Sequence, residues 1–294
     1  MPSSPPAHGI LPRRNGLVLI APLTLFLLAM LGLPFAIDVI YAVSHVTFET
    51  IRHPQVQGFG NFTAVLKDPA FWQAMGFSLR FALLTAVAQL VIGLILAIFL
   101  APLFAVIPSL MAVLMLPMMM APALVGLMYR LLLQEFVGIV PNTWAAWFGD
   151  SPAFLSPGMA FWTLSTVEVL QWTPFALLIL YSAYAAIPAE IREAAALDGA
   201  GPLRRLVAID LPWMAPTLAI TFFFRFIDGF RAFDNVYVLT GTGAGGTTTT
   251  ISIFIYEAFF RHNDIGVAVA ASLILLALSF AVLTSLLRLA GGRS

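Results

Sequence analysis

Two groups of polar and aromatic side chains repeat one spacing in the second half of the chain. The first group is Glu168, Gln171, Trp172 and Phe175, and the second is Arg225, Asp228, Gly229 and Ala232. The spacing i, i+3, i+4, i+7 puts the members of each group on one stripe of an α-helix. Carboxylates and an amide can hydrogen-bond hydroxyl groups, aromatic rings can stack, and small residues leave room beside the charges. The two stripes predict a shared pocket for a hydroxyl-rich ligand.

The charges around the second stripe allow two further interpretations. Arg225 or Arg231 could hold an anionic substituent of the ligand, such as a phosphate, carboxylate or sulfonate. Four charged residues also alternate in sign at steps of three, namely Arg225, Asp228, Arg231 and Asp234. Opposite charges at this spacing can pair along a helix. At about 100° per residue the four side chains drift through about half a turn, so they cannot all face one cavity. The sequence leaves the pocket and this ion-pair ladder as alternatives.

These polar groups are exceptions in an apolar chain. Of 294 residues, 61% are hydrophobic and 10% are charged, and the mean hydropathy is +0.97. Soluble domains carry roughly a quarter charged residues, so this composition is typical of a membrane protein. Ionisable side chains inside a bilayer are costly and are functional candidates by default. The formal net charge of zero gives no support to a nucleic-acid partner.

The apolar runs are long enough to cross a bilayer as helices, which takes about 20 residues. They cover 17–43, 75–100, 109–133, 160–185, 211–238 and 265–289. We therefore predict an all-α membrane protein with about six transmembrane helices. Several of the runs contain proline, and broken helices often line the path in transporters.

The distribution of basic residues predicts the orientation of these helices. With the N-terminus inside, the inner segments hold seven arginines, which are Arg13, Arg14, Arg192, Arg204, Arg205, Arg288 and Arg293. The outer segments hold three basic residues, which are Arg52, Lys67 and Arg261. Because positive charge accumulates on the cytoplasmic side, we expect both termini in the cytoplasm. The predicted parts are a cytoplasmic segment 1–16, a transmembrane domain 17–289 and a cytoplasmic tail 290–294.

Several other chemistries have no support in the sequence. The chain has no cysteine, and its four histidines are scattered, so no metal site is predicted. No convergent nucleophile is apparent, which argues against an enzyme. The only lysine, Lys67, is not part of a phosphate-binding loop, so any ATP must bind to another chain. Gly241, Gly243 and Gly246 match a dinucleotide pattern, but no strand precedes them and we interpret them as a turn.

Residues 186–210 interrupt the hydrophobic pattern between the fourth and fifth runs. Pro188 suits the first turn of one short helix, Gly199 suits its left-handed end, and Pro202 can open a second helix. The second helix would carry an apolar stripe opposite two arginines. Such an elbow could pack into a groove on another protein, or it could be an ordinary loop between two spans.

The residues of this loop resemble a known motif. They are Glu193, Ala194 and Ala195, then Gly199, and then Ile209 and Pro212. The gapped pattern resembles the EAA loop of ABC importer permeases, which forms a coupling helix that docks into a cleft of the ATPase subunit. The resemblance implies that Ala194 and Ala195 allow close approach, that Gly199 permits the turn, and that Glu193 pairs with a basic partner.

Segments outside the loop resemble the same family. Residues 58–62 and 68–72 are similar to the outer segment of sugar permeases. Residues 233–240 and 248–250 look like the larger member of a maltose- or glycerol-phosphate-type permease pair. The usual Gly-Gly-Pro of the intervening turn is replaced by Gly243-Ala244-Gly245-Gly246. On these motifs the chain is identified as a permease of the carbohydrate-uptake family of ABC importers.

The resemblance implies an ABC importer type I permease fold in a bacterial inner membrane. The chain would form half of the translocation pathway for a sugar or sugar derivative that a solute-binding protein delivers. A second homologous permease and two ATPase subunits, which bind ATP and Mg²⁺, would complete the complex, and no cofactor is expected in this chain. In maltose-type permeases the sugar contacts fall at the offsets of the two stripes, so the resemblance implies substrate contacts there.

An ion-coupled secondary transporter is the alternative. Such a protein needs a coupling-ion site and often contains inverted repeats. No repeat is visible in the sequence, and the EAA-like loop would then be unexplained.

Overall fold

A computed structural model describes residues 13–241 and 246–291 of the chain. Within these ranges the chain is helical apart from its connections and one short antiparallel ribbon, β1 (Ser44–His45) and β2 (Gln55–Val56). Most of the predicted segment 1–16, the last three residues of the predicted tail, and Gly243, Ala244 and Gly245 of the predicted turn lie outside the described residues.

The helices of the first half differ greatly in length. They are α1 (Arg13–Leu27), α2 (Leu33–Ala42), α3 (Gly60–Lys67), α4 (Pro69–Val106), α5 (Ser109–Leu114), α6 (Leu116–Met119), α7 (Pro122–Leu132) and α8 (Ile139–Phe148). A π-helical turn, Leu28–Gly32, joins α1 to α2. Pro34 follows this turn. Because proline has no N–H to donate to the helix, widening the turn before it costs little in lost hydrogen bonds.

The helices of the second half carry both predicted stripes and the loop between them. They are α9 (Ala160–Ala185), α10 (Ala189–Leu197), α11 (Pro202–Arg205), α12 (Leu211–Phe230), α13 (Asp234–Thr240), α14 (Ile251–Phe260) and α15 (Ile265–Gly291). A second π-helical turn, Leu206–Asp210, joins α11 to α12. The predicted second loop helix is therefore not separate, because helix continues without a break from Pro202 to Phe230.

Four helices in the described residues are long and apolar enough to span a membrane. They are Ile20–Ala42, Pro69–Val106, Ala160–Ala185 and Pro202–Phe230. The structure does not confirm six continuous spanning helices. At 1.5 Å per residue, the 38 residues of α4 extend about 57 Å, which is longer than the hydrocarbon thickness of about 30 Å.

The third apolar run, 109–133, is broken into α5, α6 and α7. Pro117 and Pro122 each lie in the first turn of a short helix. Ala121 has an extended conformation, with φ −60° and ψ 132°, because the residue before a proline is disfavoured in the α region. Pro174, in contrast, lies inside the continuous helix α9.

The fifth run, 211–238, is also broken, which corrects the prediction of one span. Helix α12 ends at Phe230 and α13 begins at Asp234. The residues 231–233 between them contain neither proline nor glycine, so no local breaker indicated this interruption. The break separates Ala232, the last member of the predicted second stripe, from the helix that carries the other three.

Helix α4 forms the centre of the bundle and packs along α9 and α12. Gly93 allows the close approach to α9, because a Cβ at this position would lie 2.9 Å from the Cβ of Ala176. Gly126 of α7 has the same role against α13, where a Cβ would lie 3.0 Å from the carbonyl oxygen of Asn235. These contacts set the rotation of α9 and α13 relative to their neighbours.

Candidate functional site

A cavity with a volume of about 420 Å³ lies where α7, α9, α12 and α13 meet. Its lining includes members of both predicted stripes, namely Glu168, Trp172, Arg225, Asp228 and Ala232. The residues after the break in the fifth run line it too, among them Asp234 and Asn235. The two stripes therefore converge, but only some of their members reach the cavity.

Arg225 is the central group of the cavity wall, and only 1% of the residue is exposed. Its Nη2 lies 3.1 Å from Oε1 of Glu168, and its Nη1 lies 3.0 Å from Oδ2 of Asp228. Its Nε donates to Oε1 of Gln89 at 2.7 Å. A guanidinium presents its donors in a rigid plane, so these three partners determine its orientation.

Two aromatic rings cover the same guanidinium. The Cζ atom of Arg225 lies 4.7 Å from the ring centroid of Trp172 and 5.8 Å from that of Phe175. Both distances are within the range of cation–π attraction. Trp172 also lines the cavity, whereas Phe175 supports Arg225 from outside its lining.

Both carboxylate oxygens of Glu168 have partners. Oε1 accepts from Arg225, and Oε2 accepts from Nδ2 of Asn235 at 2.5 Å. The residue is only 4% exposed. A buried ion pair with all its lone pairs satisfied is tolerated, whereas the loss of one partner leaves a buried charge unpaired. Glu168 is therefore a component of the cavity wall more than a free ligand-binding carboxylate.

Two members of this arrangement, Gln89 and Asn235, were missed by the sequence analysis, which started from the ionisable residues inside the apolar runs and the two stripes around them. A glutamine in the middle of an apolar span carries the same physical signal, because its amide needs partners in a low-dielectric environment. Asn235 was overlooked because its neighbour Asp234 is charged and was considered in its place.

Asp228 and Arg231 have half-exposed side chains in the cavity, at 52% and 59%. Nη2 of Arg231 lies 3.8 Å from Oδ1 of Asp228, a distance too long for a strong hydrogen bond. The ion-pair ladder is therefore formed at its first step, Arg225 to Asp228, and is weak at its second. Asp234, its last predicted member, lies beyond the break on α13.

Gln171 and Gly229 do not reach the cavity. Gln171 faces a separate, largely apolar cavity, where its Nε2 donates to the carbonyl oxygen of Met120 at 3.2 Å. Gly229 faces α4, and a Cβ there would lie 3.2 Å from Cα of Ala82. Residues at positions i, i+3, i+4 and i+7 cover a broad face of a helix. In a packed bundle the two edges of such a face contact different neighbouring helices.

The loop 186–210 presents a second surface at the end of the bundle. Glu193, Ala194 and Gly199 are exposed, as is Pro212, whereas Ala195 is buried and Ile209 is half-buried. Gly199 has φ +74°, and the N–H of Ala200 donates to the carbonyl oxygen of Ala195 at 2.9 Å, as in a helix end that requires glycine.

Apolar side chains on this loop also point outward. Leu197 is 89% exposed and Leu203 is 73% exposed. Both side chains are therefore accessible for contact with another protein.

A buried carboxylate joins this loop to the bundle. Asp210 is 2% exposed, and its Oδ1 lies 3.3 Å from Nε of Arg192 on α10. The guanidinium of Arg192 also donates to the carbonyl oxygen of Tyr184 at 2.9 Å and lies 3.9 Å from the centroid of the Tyr184 ring. Helix α10 is thus bound to the end of α9 and to the π-helical turn that precedes α12.

Within the described ranges, no group of three or more histidine, aspartate and glutamate side chains is arranged to hold a metal ion.

The chain is similar in sequence to permease proteins of sugar transport systems. The chain is 28% identical to the sulfoquinovosyl glycerol transport system permease protein SmoG of Agrobacterium fabrum, over 94% of this chain and 90% of that protein. It is 29% identical to the trehalose/maltose transport system permease protein MalF of Thermococcus litoralis, over 91% of each chain. Its relatives are sugar permeases of ABC transporters. These relatives confirm the resemblance of the chain to sugar permeases of ABC transporters. No protein-family model matches the chain.

The fold is that of an ABC transporter permease. A permease chain in the crystal structure of a bacterial alginate ABC transporter, in complex with an alginate pentasaccharide-bound periplasmic protein, matches with a TM-score of 0.80. The match covers 93% of each chain at 18% sequence identity. With its apolar helices and its permease relatives, the protein is an integral inner-membrane protein.

Proposed function

We propose that this chain is one permease subunit of an ATP-driven importer and forms half of the pathway for a sugar or sugar derivative. The observation that carries the proposal is the charged cavity, closed by Arg225 and lined by Asp228 and Trp172, inside an otherwise apolar bundle. Buried ionisable groups in a membrane are costly and are kept where a polar solute passes. Relatives that match over nearly the whole chain are sugar permeases, which supports the same function.

The proposed arrangement in the membrane has six spanning segments and both termini in the cytoplasm, as in a type I ABC importer permease. The four long helices account for four segments. The broken run α5–α7 and helix α15 supply the other two. The bias of arginine and lysine toward one side supports the orientation.

The proposed partners follow from the two surfaces. Helix α10, with its exposed Leu197, would dock on one of two ATPase subunits, which would bind ATP and Mg²⁺ because this chain lacks a phosphate-binding loop. A second homologous permease would complete the pathway, and a solute-binding protein would deliver the cargo. The structure of the alginate transporter includes a periplasmic protein with its saccharide bound, which supports this last partner.

The charges of the cavity favour a hydroxyl-rich cargo. The ionisable residues that line it are Glu168, Asp228, Asp234, Arg225 and Arg231, which is three carboxylates against two guanidiniums. The donors of Arg225 are already bonded to Gln89, Glu168 and Asp228. An anionic cargo would therefore have to bind Arg231. Relatives are named for a neutral disaccharide pair, trehalose and maltose, and for sn-glycerol-3-phosphate, so both chemistries occur among them.

Uptake into liposomes tests the proposal. The chain is reconstituted with its second permease and the ATPase subunits, and uptake of radiolabelled maltose, trehalose and glycerol-3-phosphate is measured with the binding protein outside. We expect uptake that needs ATP inside and stops when the ATPase is omitted. Uptake without ATP, driven by a proton or sodium gradient, would establish the secondary transporter instead.

A further inference from the structure

We propose that Gln89 is a positioning residue of the transport site, acting through Arg225 although it does not line the cavity. The proposal rests on the proposed function and assigns a role to a helix, α4, that carries neither predicted stripe. Gln89 is fully buried, at 0% exposure, in the middle of the longest apolar helix. A buried amide at this depth is retained only where both of its ends are satisfied.

The amide of Gln89 binds two different helices. Its Oε1 accepts from Nε of Arg225 on α12 at 2.7 Å. Its Nε2 donates to the main-chain carbonyl oxygen of Glu168 on α9 at 3.1 Å. One side chain therefore ties the two helices that carry the cavity to the central helix α4.

The contact to Nε fixes the plane of the guanidinium. Asp228 and Glu168 each accept from one Nη atom of Arg225, and two contacts on that end leave the group free to tilt. The third contact, from Gln89 at Nε, removes this freedom. The tilt matters because the ring of Trp172 lies 4.7 Å from Cζ of Arg225, and the same plane also sets the position of the Asp228 carboxylate.

Asn235 completes the network from the other side of the break. Its Nδ2 donates to Oε2 of Glu168, and its own Oδ1 accepts from the N–H of Val236 at 2.9 Å. Gln89, Arg225, Glu168 and Asn235, residues that are each at most 4% exposed, thus connect α4, α12, α9 and α13 through their side chains. The groups that meet the cargo, Asp228 and Trp172, are held by this network.

The consequence is a defect in transport that does not depend on docking of the ATPase. In a binding-protein-dependent importer the binding protein sets the sugar concentration for half-maximal uptake. A misaligned cavity in the permease should instead lower the number of sugar molecules moved per ATP hydrolysed. Loss of Gln89 should therefore separate uptake from hydrolysis.

The test uses Gln89→Met, which keeps the length of the side chain and removes both its donor and its acceptor. In the reconstituted complex we expect sugar moved per ATP to fall about tenfold, the size of effect that one lost polar contact typically has, while binding-protein-stimulated ATP hydrolysis stays within about twofold. The sugar is whichever of maltose, trehalose and glycerol-3-phosphate the unmodified complex takes up.

Thr85→Val is the matched control. Thr85 lies one turn earlier on α4, is also buried, and its hydroxyl donates to the carbonyl oxygens of Phe81 and Ala82 in its own helix. Its removal should leave the ratio unchanged. If the Gln89→Met variant does not assemble, Gln89→Asn takes its place in the test. Its side chain is shorter by one carbon, which moves the amide away from its partners, so this variant must show the same loss of sugar moved per ATP. An unchanged sugar-to-ATP ratio in an assembled variant would overturn the role of Gln89, whereas absence of ATP-dependent uptake in the unmodified complex would overturn the proposed function instead.

Discussion

Arg225 shows how one residue can satisfy two interpretations of its sequence pattern. It forms the first step of the ion-pair ladder with Asp228, 3.0 Å away, and it also forms the wall of the cavity with Glu168. The second contact matters more for stability, because Glu168 is buried and Asp228 is half-exposed. Water can solvate the carboxylate of Asp228 if its partner is lost, but it cannot reach that of Glu168.

Removal of Arg225 therefore tests which carboxylate depends on it. Arg225→Ala should lower the yield and thermal stability of the purified protein, since breaking a buried ion pair costs about 3–5 kcal/mol. Adding Glu168→Gln should recover much of the stability, because a neutral amide replaces the stranded charge. Adding Asp228→Asn should recover little.

The measurement is the apparent Tm in detergent by size-exclusion chromatography after heating. Recovery with Asp228→Asn but not with Glu168→Gln would show that the ion-pair ladder alone determines the role of Arg225. If the Arg225→Ala, Asp228→Asn variant recovered both transport and stability in full, the fifth run would not contribute contacts to the substrate.

Truncation of a cavity side chain should affect transport rather than folding. Asp228 is half-exposed in the cavity, so Asp228→Ala should reduce or abolish uptake, by about tenfold if one hydrogen bond to the cargo is lost, with a normal yield. Uptake by the reconstituted complex and quantitative blotting of the subunit measure the two quantities. Normal uptake by this variant would contradict a role of Asp228 in cargo contact.

Arg231 should report the charge of the cargo. It is the guanidinium of the cavity with the more exposed side chain, so it is available to an anionic substituent. Arg231→Gln should leave uptake of maltose or trehalose within about twofold, but it should strongly reduce uptake of glycerol-3-phosphate, because a charge-assisted hydrogen bond to phosphate is lost. Equal effects on the neutral disaccharides and on glycerol-3-phosphate would show that Arg231 has only a structural role.

At the scale of elements, two interruptions expose backbone and side chains to the cavity. The break before Pro122 places that residue in the cavity lining, and the break at 231–233 places α13 opposite α9. Irregular backbone at membrane depth is tolerated only where it is covered by protein or lines a polar cavity. Both breaks fulfil this condition.

The coupling loop depends on a left-handed turn at Gly199. Gly199 has φ +74° and open space around a Cβ, so Gly199→Val would be strained by its backbone and not by a clash. We expect loss of the ATPase from the purified complex, or ATP hydrolysis without uptake, while the subunit still inserts in the membrane. Co-purification of the ATPase and the ratio of uptake to hydrolysis measure these effects.

Two glycines serve as controls for this substitution. Gly201 also has open space but a negative φ of −64°, so Gly201→Val should be tolerated far better. Gly149 has φ +84° at the end of α8, away from the loop, and Gly149→Val should cause strain without uncoupling. Normal assembly and uptake of Gly199→Val would count against the coupling role of 186–210.

At the scale of the whole molecule, the orientation in the membrane can be measured directly because the chain has no cysteine. Ala196 on α10 and His53 in the loop after α2 are both exposed. In intact cells an impermeant thiol reagent should label His53→Cys, and it should label Ala196→Cys only after permeabilisation. The reverse pattern would place the proposed ATPase-docking surface outside the cell and exclude it from coupling.

Much of the architecture was predictable because it depends on local properties. Apolar runs of about 20 residues must form helices in lipid, since no other open structure satisfies the backbone there. The turn at Gly199 follows from glycine's access to positive φ. The steric demand of proline favours the interruption before Pro122 but does not decide it, since Pro174 lies inside a continuous helix. The EAA-like loop was recognised by its resemblance to a family motif, since its spacing alone also fits an ordinary loop between two spans.

The composition of the cavity was decided only by the tertiary structure. Gln89, Glu168, Arg225 and Asn235 lie on four different helices, and their meeting depends on how each helix is rotated against its neighbours. That rotation is set by close approaches such as the one between Gly93 and Ala176, which helical periodicity does not encode. For the same reason Gln171 and Gly229, which share the predicted stripes, face other helices. Sequence periodicity determines which residues share a helix face, and packing between helices determines what that face meets.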